Sequence, residues 1–78
     1  MTLDDLAIGQ SARVVNVVAL GESDYIAHRL DEIGFTLGES VAVLTRAVPG
    51  GDPLVVRVGQ SRFALRRAEA QCVFVVVE

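Results

Sequence analysis

The run Leu54-Val55-Val56-Arg57-Val58-Gly59-Gln60-Ser61-Arg62-Phe63-Ala64-Leu65-Arg66 decides how this chain folds. Two β-rich halves meet at Gly59-Gln60, a pair suited to the two-residue hairpin turn that places glycine first, where φ is positive. The halves therefore read as antiparallel strands over 54–58 and 61–66. Upstream, from Glu39 onward, the apolar period is already two, and residues 41–48 read as another strand. Between them stands Pro49-Gly50-Gly51-Asp52-Pro53, whose prolines and glycines cannot continue a ladder, so it is a loop. Downstream, 67–71 reads as a short helical turn and 72–77 as a final strand.

The N-terminal half adds a valine-rich strand over 12–19 and one helix over 22–33, opened by Gly21 and Ser23. Ile26, Leu30 and Ile33 recur at spacings of four and three, which lines them along one helical face. Asp24, His28, Asp31 and Glu32 fall opposite, and Gly34 stands where a left-handed cap usually ends a helix. Thr2 is placed to cap a first turn through Leu6, with Asp4 and Asp5 near its positive end. The sum is a mainly β chain: a small barrel of about five strands, one helix inserted after the first long strand, and short helical turns. Fully antiparallel closure would hide the strand edges, which a chain this apolar needs.

Composition narrows the function classes. At 78 residues the chain makes one domain, 1–78, with no repeat and no linker. A domain of this size buries only about 60% of its unfolded surface, so the core is thin and room for an elaborate pocket is scarce. Ten acidic residues face seven basic ones, all arginine, for a net charge of −3. That balance, with no interleaved surface aromatics, argues against nucleic-acid binding. The single cysteine, Cys72, permits no internal disulfide, which suits a reducing compartment. The start, Met1-Thr2-Leu3-Asp4-Asp5-Leu6, is acidic where a secretory signal carries positive charge, and the longest apolar run, 72–77, is far too short to span a membrane. A soluble cytoplasmic protein is expected, without membrane insertion. One histidine, no lysine, and no nucleophile beside a base exclude the usual enzyme constellations and the phosphate-cradling loop of nucleotide-binding proteins.

Three segments, taken together and in order, resemble the FeoA family of ferrous iron transport accessory proteins. They are Arg29-Leu30-Asp31-Glu32-Ile33-Gly34-Phe35 followed by Gly38; Asp52-Pro53-Leu54-Val55-Val56; and Leu65-Arg66 with Glu69-Ala70 and Val73-Phe74-Val75. The opening Leu6-Ala7-Ile8-Gly9-Gln10 has the family's shape too. One departure is Leu37-Gly38 where the family commonly carries Pro-Gly, which predicts a looser loop on the same fold. The resemblance implies an SH3-like barrel, a cytosolic role beside the ferrous iron permease FeoB, and likeness to the C-terminal barrel of DtxR-type metal-dependent repressors. Gly34, Gly38, Pro53, Leu65, Glu69 and Ala70 carry the signature, and the first reading of the glycines is architectural.

Several residues are candidates for contact with a partner or a metal. Arg29 borders the apolar helix face and can pair with Glu32 or with a partner's carboxylate; Leu30, beside it, reads as core before contact. If Gly59-Gln60 is the turn, Arg57 lies opposite Arg62, with Arg66 further along the same face. Like charges across a ladder are unfavourable by up to about 1 kcal/mol, so an acidic surface on a partner would offset them, unless solvent and nearby acids already do.

On the helix, Asp24, His28 and Glu32 are spaced by four, a pattern able to chelate Fe²⁺ or Zn²⁺ weakly, although a charged face is what any solvated helix needs. No cofactor is required on this reading, and the chain is expected to be a monomer, with metal-bridged association as the alternative. Cys72 reads as a small buried hydrophobe, alternating with Phe74 and Val76 against Val73, Val75 and Val77. The surplus of valine in the first and last strands calls for cover from the helix, or else leaves an apolar patch for docking. The functional expectation is a non-enzymatic accessory protein that docks on the cytosolic part of FeoB; the alternative is a metal-ion sensor module.

Overall fold

The structure is a computed structural model that describes residues 1–18 and 24–78. A 3₁₀ turn, Leu3–Asp5, leads into β1 (Ser11–Val17), and α1 (Asp24–Ile33) separates β1 from β2 (Ser40–Arg46). Then come β3 (Leu54–Val58), β4 (Ser61–Leu65), the four-residue helix α2 (Arg67–Ala70) and β5 (Val73–Val77). The expected strand end at 19 and helix opening at 21–23 lie outside the described residues. Among the described residues all five strands join one antiparallel sheet in the order β4-β3-β2-β1-β5.

Most elements end earlier than periodicity predicts. β2 stops at Arg46 rather than 48, because the loop folds back: Ala47 N–H donates to Pro53 C=O at 2.9 Å and Gly51 N–H to Ala47 C=O at 2.9 Å. β4 stops at Leu65 because Arg66 is already the residue capping α2. Cys72 precedes β5 and is buried in the turn after α2, its N–H donating to Glu69 C=O. The expected alternation of Cys72 with Phe74 and Val76 therefore does not hold: Cys72, Val73 and Val75 are buried, and Val76 faces out.

Among the described residues the ladders do not close into a ring of strands, as antiparallel closure would require. β4 and β5 are the two ends of the pairing order. The outer edge of β5 is covered by the N-terminus, through the Thr2–Phe74 bridge and Val75 N–H donating to Met1 C=O at 2.9 Å. Register shifts in β1 between Val14 and Asn16, and in β2 between Val43 and Thr45, mark bulges. Bulges sharpen the local twist, so they curl a five-stranded sheet around one interior.

That interior is lined by Leu3, Val14, Val41, Val43, Val56, Leu65 and Val75 among others, and Leu30 enters it from α1. Ile26 and Ile33 pack on its margin, so the helix plugs the interior and does not cover the outer face of the sheet. The cover expected for the outer valines is absent: Val15, Val76 and Val77 stay 48%, 53% and 45% exposed.

The helix ends as its sequence directs. Gly34, at φ +120, donates to Asp31 C=O, and Phe35 N–H reaches back to Leu30 C=O at 3.1 Å, the bond pair of a Schellman cap. Leu30 and Phe35, the apolar pair that accompanies such a cap, are both buried.

Candidate docking surface

Arginines occupy two contrasting settings. On the first side, α1 and α2 are joined by an ion pair between the Arg29 guanidinium and the Glu69 carboxylate. Glu69 is nearly buried, and its other oxygen accepts the Arg66 N–H at 3.0 Å, so one carboxylate starts α2 and anchors α1. Arg29 thus finds its acid inside the chain, in Glu69 and not in Glu32. Leu30, a contact candidate read above as core first, is 0% exposed and belongs to the core, so it is not part of the surface set.

A second cluster on this side centres on Asp4, whose side chain is only 8% exposed. Its carboxylate accepts from Arg46 at 2.8 Å, from Gln71 at 3.3 Å and from Arg67 at 3.4 Å, while its own carbonyl accepts from Arg46 at 2.6 Å. Burial alone would push the Asp4 carboxyl up. Hydrogen bonds from Arg46, Gln71 and Arg67 outweigh it and hold the group below the ordinary carboxylate value. Nothing in local periodicity signals this cluster, because the partners are 42, 63 and 67 residues apart.

The β3–β4 hairpin is the other setting. Gly59 has φ +58 and Gln60 does not have positive φ, as a Gly-first two-residue turn requires. The register sets Arg57 opposite Arg62 and Val55 opposite Ala64. Leu54, Val56 and Val58 point inward, so the two arginines share the outer face. Arg57 donates to Gly59 C=O at 2.9 Å and to the Ser40 hydroxyl at 3.3 Å. Among the described residues neither Arg57 nor Arg62 has a carboxylate partner. Arg66 leaves the Arg62 face where the strand ends, and its guanidinium lies 3.8 Å from the Asp52 carboxylate.

The remaining signature positions are architectural in this geometry. Gly38, at φ +85, donates to Val14 C=O at 2.7 Å and accepts Arg13 at 2.9 Å, where β2 begins beside β1. Leu65 and Ala70 are buried, and Pro53 returns the loop to β3. The FeoA domain model matches residues 1–77.

The chain belongs to the FeoA family.

Solved structures agree with that membership. FeoA from Stenotrophomonas maltophilia is 47% identical, with TM-score 0.88, over 97% of this chain and 89% of that one. It was solved with zinc and described as a prokaryotic SH3 domain protein, with a suggested role as a bacterial ferrous iron transport activating factor. Iron(II) transport protein A from Clostridium thermocellum is 34% identical with TM-score 0.84; the alignment takes in 99% of this chain and 45% of that one. IdeR from T. acidophilum, 22% identical, has the same fold at TM-score 0.80 over 100% of this chain and 34% of its own. No curated protein matches the chain. The SH3-like fold expected from the FeoA resemblance is the fold observed.

For metal chelation by this FeoA chain, α1 presents His28 and Glu32 one turn apart, both exposed. Asp24 opens the helix, and its side chain lies outside the described residues. Among the described residues no three His, Cys, Asp or Glu side chains gather to hold an ion. No described helix is long and apolar enough to cross a membrane.

Proposed function

We propose that this FeoA-family protein is a non-enzymatic cytoplasmic accessory factor of ferrous iron uptake that docks on the cytosolic part of the FeoB transporter and modulates it. The observation that carries the reading is the outer face of the hairpin, where Arg57 and Arg62 stand directly opposed and, among the described residues, neither forms an ion pair with a carboxylate. Like charges in that position are unfavourable, by a few tenths up to about 1 kcal/mol, and an acidic partner surface turns the repulsion into attraction. Binding one transporter state more tightly than another is enough to shift its behaviour. The test is a titration against the soluble GTPase domain of FeoB, with each nucleotide and with and without Fe²⁺. Saturable binding that weakens in the Arg57→Glu/Arg62→Glu variant is expected; affinity unchanged by that variant removes the hairpin face as the contact.

A second reading, a metal-sensing module, has the exposed His28 and Glu32 pair and the zinc in the S. maltophilia structure in its favour. It expects Fe²⁺ or Zn²⁺ binding by the isolated protein that His28→Ala abolishes. Titration calorimetry of the two proteins decides it.

A further inference from the structure

The free edge of the sheet carries Arg62, with Arg57 across from it on the next strand, and among the described residues neither has a carboxylate partner. In a two-residue hairpin the residues flanking the turn, Val58 and Ser61, form a hydrogen-bonded pair, and bonded and non-bonded pairs alternate from there. Arg57–Arg62 and Val55–Ala64 are then non-bonded pairs, so the N–H and C=O groups of Arg62 and Ala64 point away from β3. β4 ends the pairing order, and among the described residues no backbone group from elsewhere meets Arg62 or Ala64. Unlike β5, whose edge Met1 and Thr2 cover, β4 keeps its ladder groups open. Phe63, between them, points inward, packs on the core and is only half-buried.

From these three features we infer that β4 accepts an extended peptide strand of alternating acidic and apolar residues, supplied by the partner, as a sixth strand of the sheet. An incoming strand hydrogen-bonds through its backbone to Arg62 and Ala64. Its residue opposite Phe63 falls on the inner side and covers the exposed part of that ring. The residues on either side of it fall on the outer face, where a carboxylate meets Arg62 on the edge strand; Arg57, one strand further in, is turned toward Ser40 of β2 and adds its charge from there. A second copy of this chain fits poorly, because pairing β4 with β4 gathers further arginines on one face. A nucleic acid satisfies the guanidinium groups but does not satisfy the ladder groups. The inference deepens the docking reading and rests on it for the source of the strand.

The test uses fluorescent peptides about six residues long, the usual strand length, of alternating glutamate and valine, with a lysine–valine peptide as control. Saturable binding of the acidic probe is expected, with NMR shifts centred on Arg62, Phe63 and Ala64 and slowed exchange of the Arg62 and Ala64 amides. N-methylating the probe at its two bonding positions should weaken binding about tenfold or more, the loss expected for two backbone hydrogen bonds. Ala64→Pro, which an edge strand tolerates, should weaken binding about fivefold by removing one of the protein's own two donors. Arg57→Glu/Arg62→Glu should reverse the preference in favour of the lysine probe.

Equal binding of the lysine probe, undiminished binding of the N-methylated probe, or equal affinity for a single-stranded oligonucleotide overturns the inference. Acidic-probe binding without FeoB binding keeps the edge site and removes FeoB as the source of the strand. FeoB binding undiminished by Ala64→Pro, in a protein with native spectra, overturns the edge site and leaves the docking reading intact.

Discussion

The α1–α2 side and the β3–β4 hairpin both carry arginines, yet they use them in opposite ways. On the helical side, Arg29, Arg46 and Arg67 each meet a carboxylate of the same chain, and those acids, Glu69 and Asp4, have little exposure. On the hairpin, Arg57 settles for a carbonyl and a hydroxyl, and Arg62 has no acid among the described residues. The count of arginines is therefore a poor guide to a binding face. Which of them already have partners is the better guide, because a satisfied ion pair has little left to offer another molecule.

Five substitutions break or sharpen that contrast. The largest effect falls on Leu30, beside Arg29: Leu30→Ala should cost about 2–5 kcal/mol in urea unfolding, as deletions from packed cores do. A loss below about 0.5 kcal/mol, the size expected of a surface substitution, would return Leu30 to the surface set. Next, Glu69→Ala removes the acid shared by Arg29 and the start of α2, and should cost about 1.5–3 kcal/mol by the same measurement. Glu32→Ala, on the exposed helix face, should stay within about 0.5 kcal/mol.

Asp4 adds a pH dependence. Its native carboxyl lies below its unfolded value, so the stability it contributes is complete above the ordinary carboxylate range and is lost as pH falls through the lowered native value. Asp4→Asn should destabilise the protein at neutral pH by about 1–3 kcal/mol, and the unfolding curves of the two proteins should converge in acid. A difference that persists at low pH would mean that Asp4 acts through packing instead.

The effect on stability at the hairpin is small and of opposite sign. Arg62→Glu relieves the like-charge pair and should stabilise the fold by a few tenths up to about 1 kcal/mol while weakening FeoB binding. Destabilisation by a similar amount would show that Arg62 is already satisfied within the chain.

Short-range order was legible in the residues themselves. Gly59-Gln60 set the hairpin register and hence the Arg57–Arg62 pairing, because a two-residue turn allows only one alignment of its strands. Leu30, Gly34 and Phe35 likewise spelled out the helix end, since that cap is made from neighbours along the chain. The edges of elements were less legible: Leu65 ends β4 because Glu69 draws Arg66 into the cap of α2, a competition that alternation does not register. Of the candidate contacts, the pairing of Arg57 with Arg62 could be read ahead, whereas Arg29's partner could not.

The sequence by itself determined the strands, the helix, the hairpin and the family, because each rests on periodicity, turn chemistry or motif order over short spans. Only the tertiary structure decided which charges are already satisfied. Asp4 meets Arg46, Arg67 and Gln71 across 42 to 67 residues, and β5 gains its edge cover from Met1 and Thr2 at the far end of the chain. Contacts of that kind follow from how the sheet curls around its core. The two bulges and the packing of Leu30 set that curl, and no local pattern of residues encodes it.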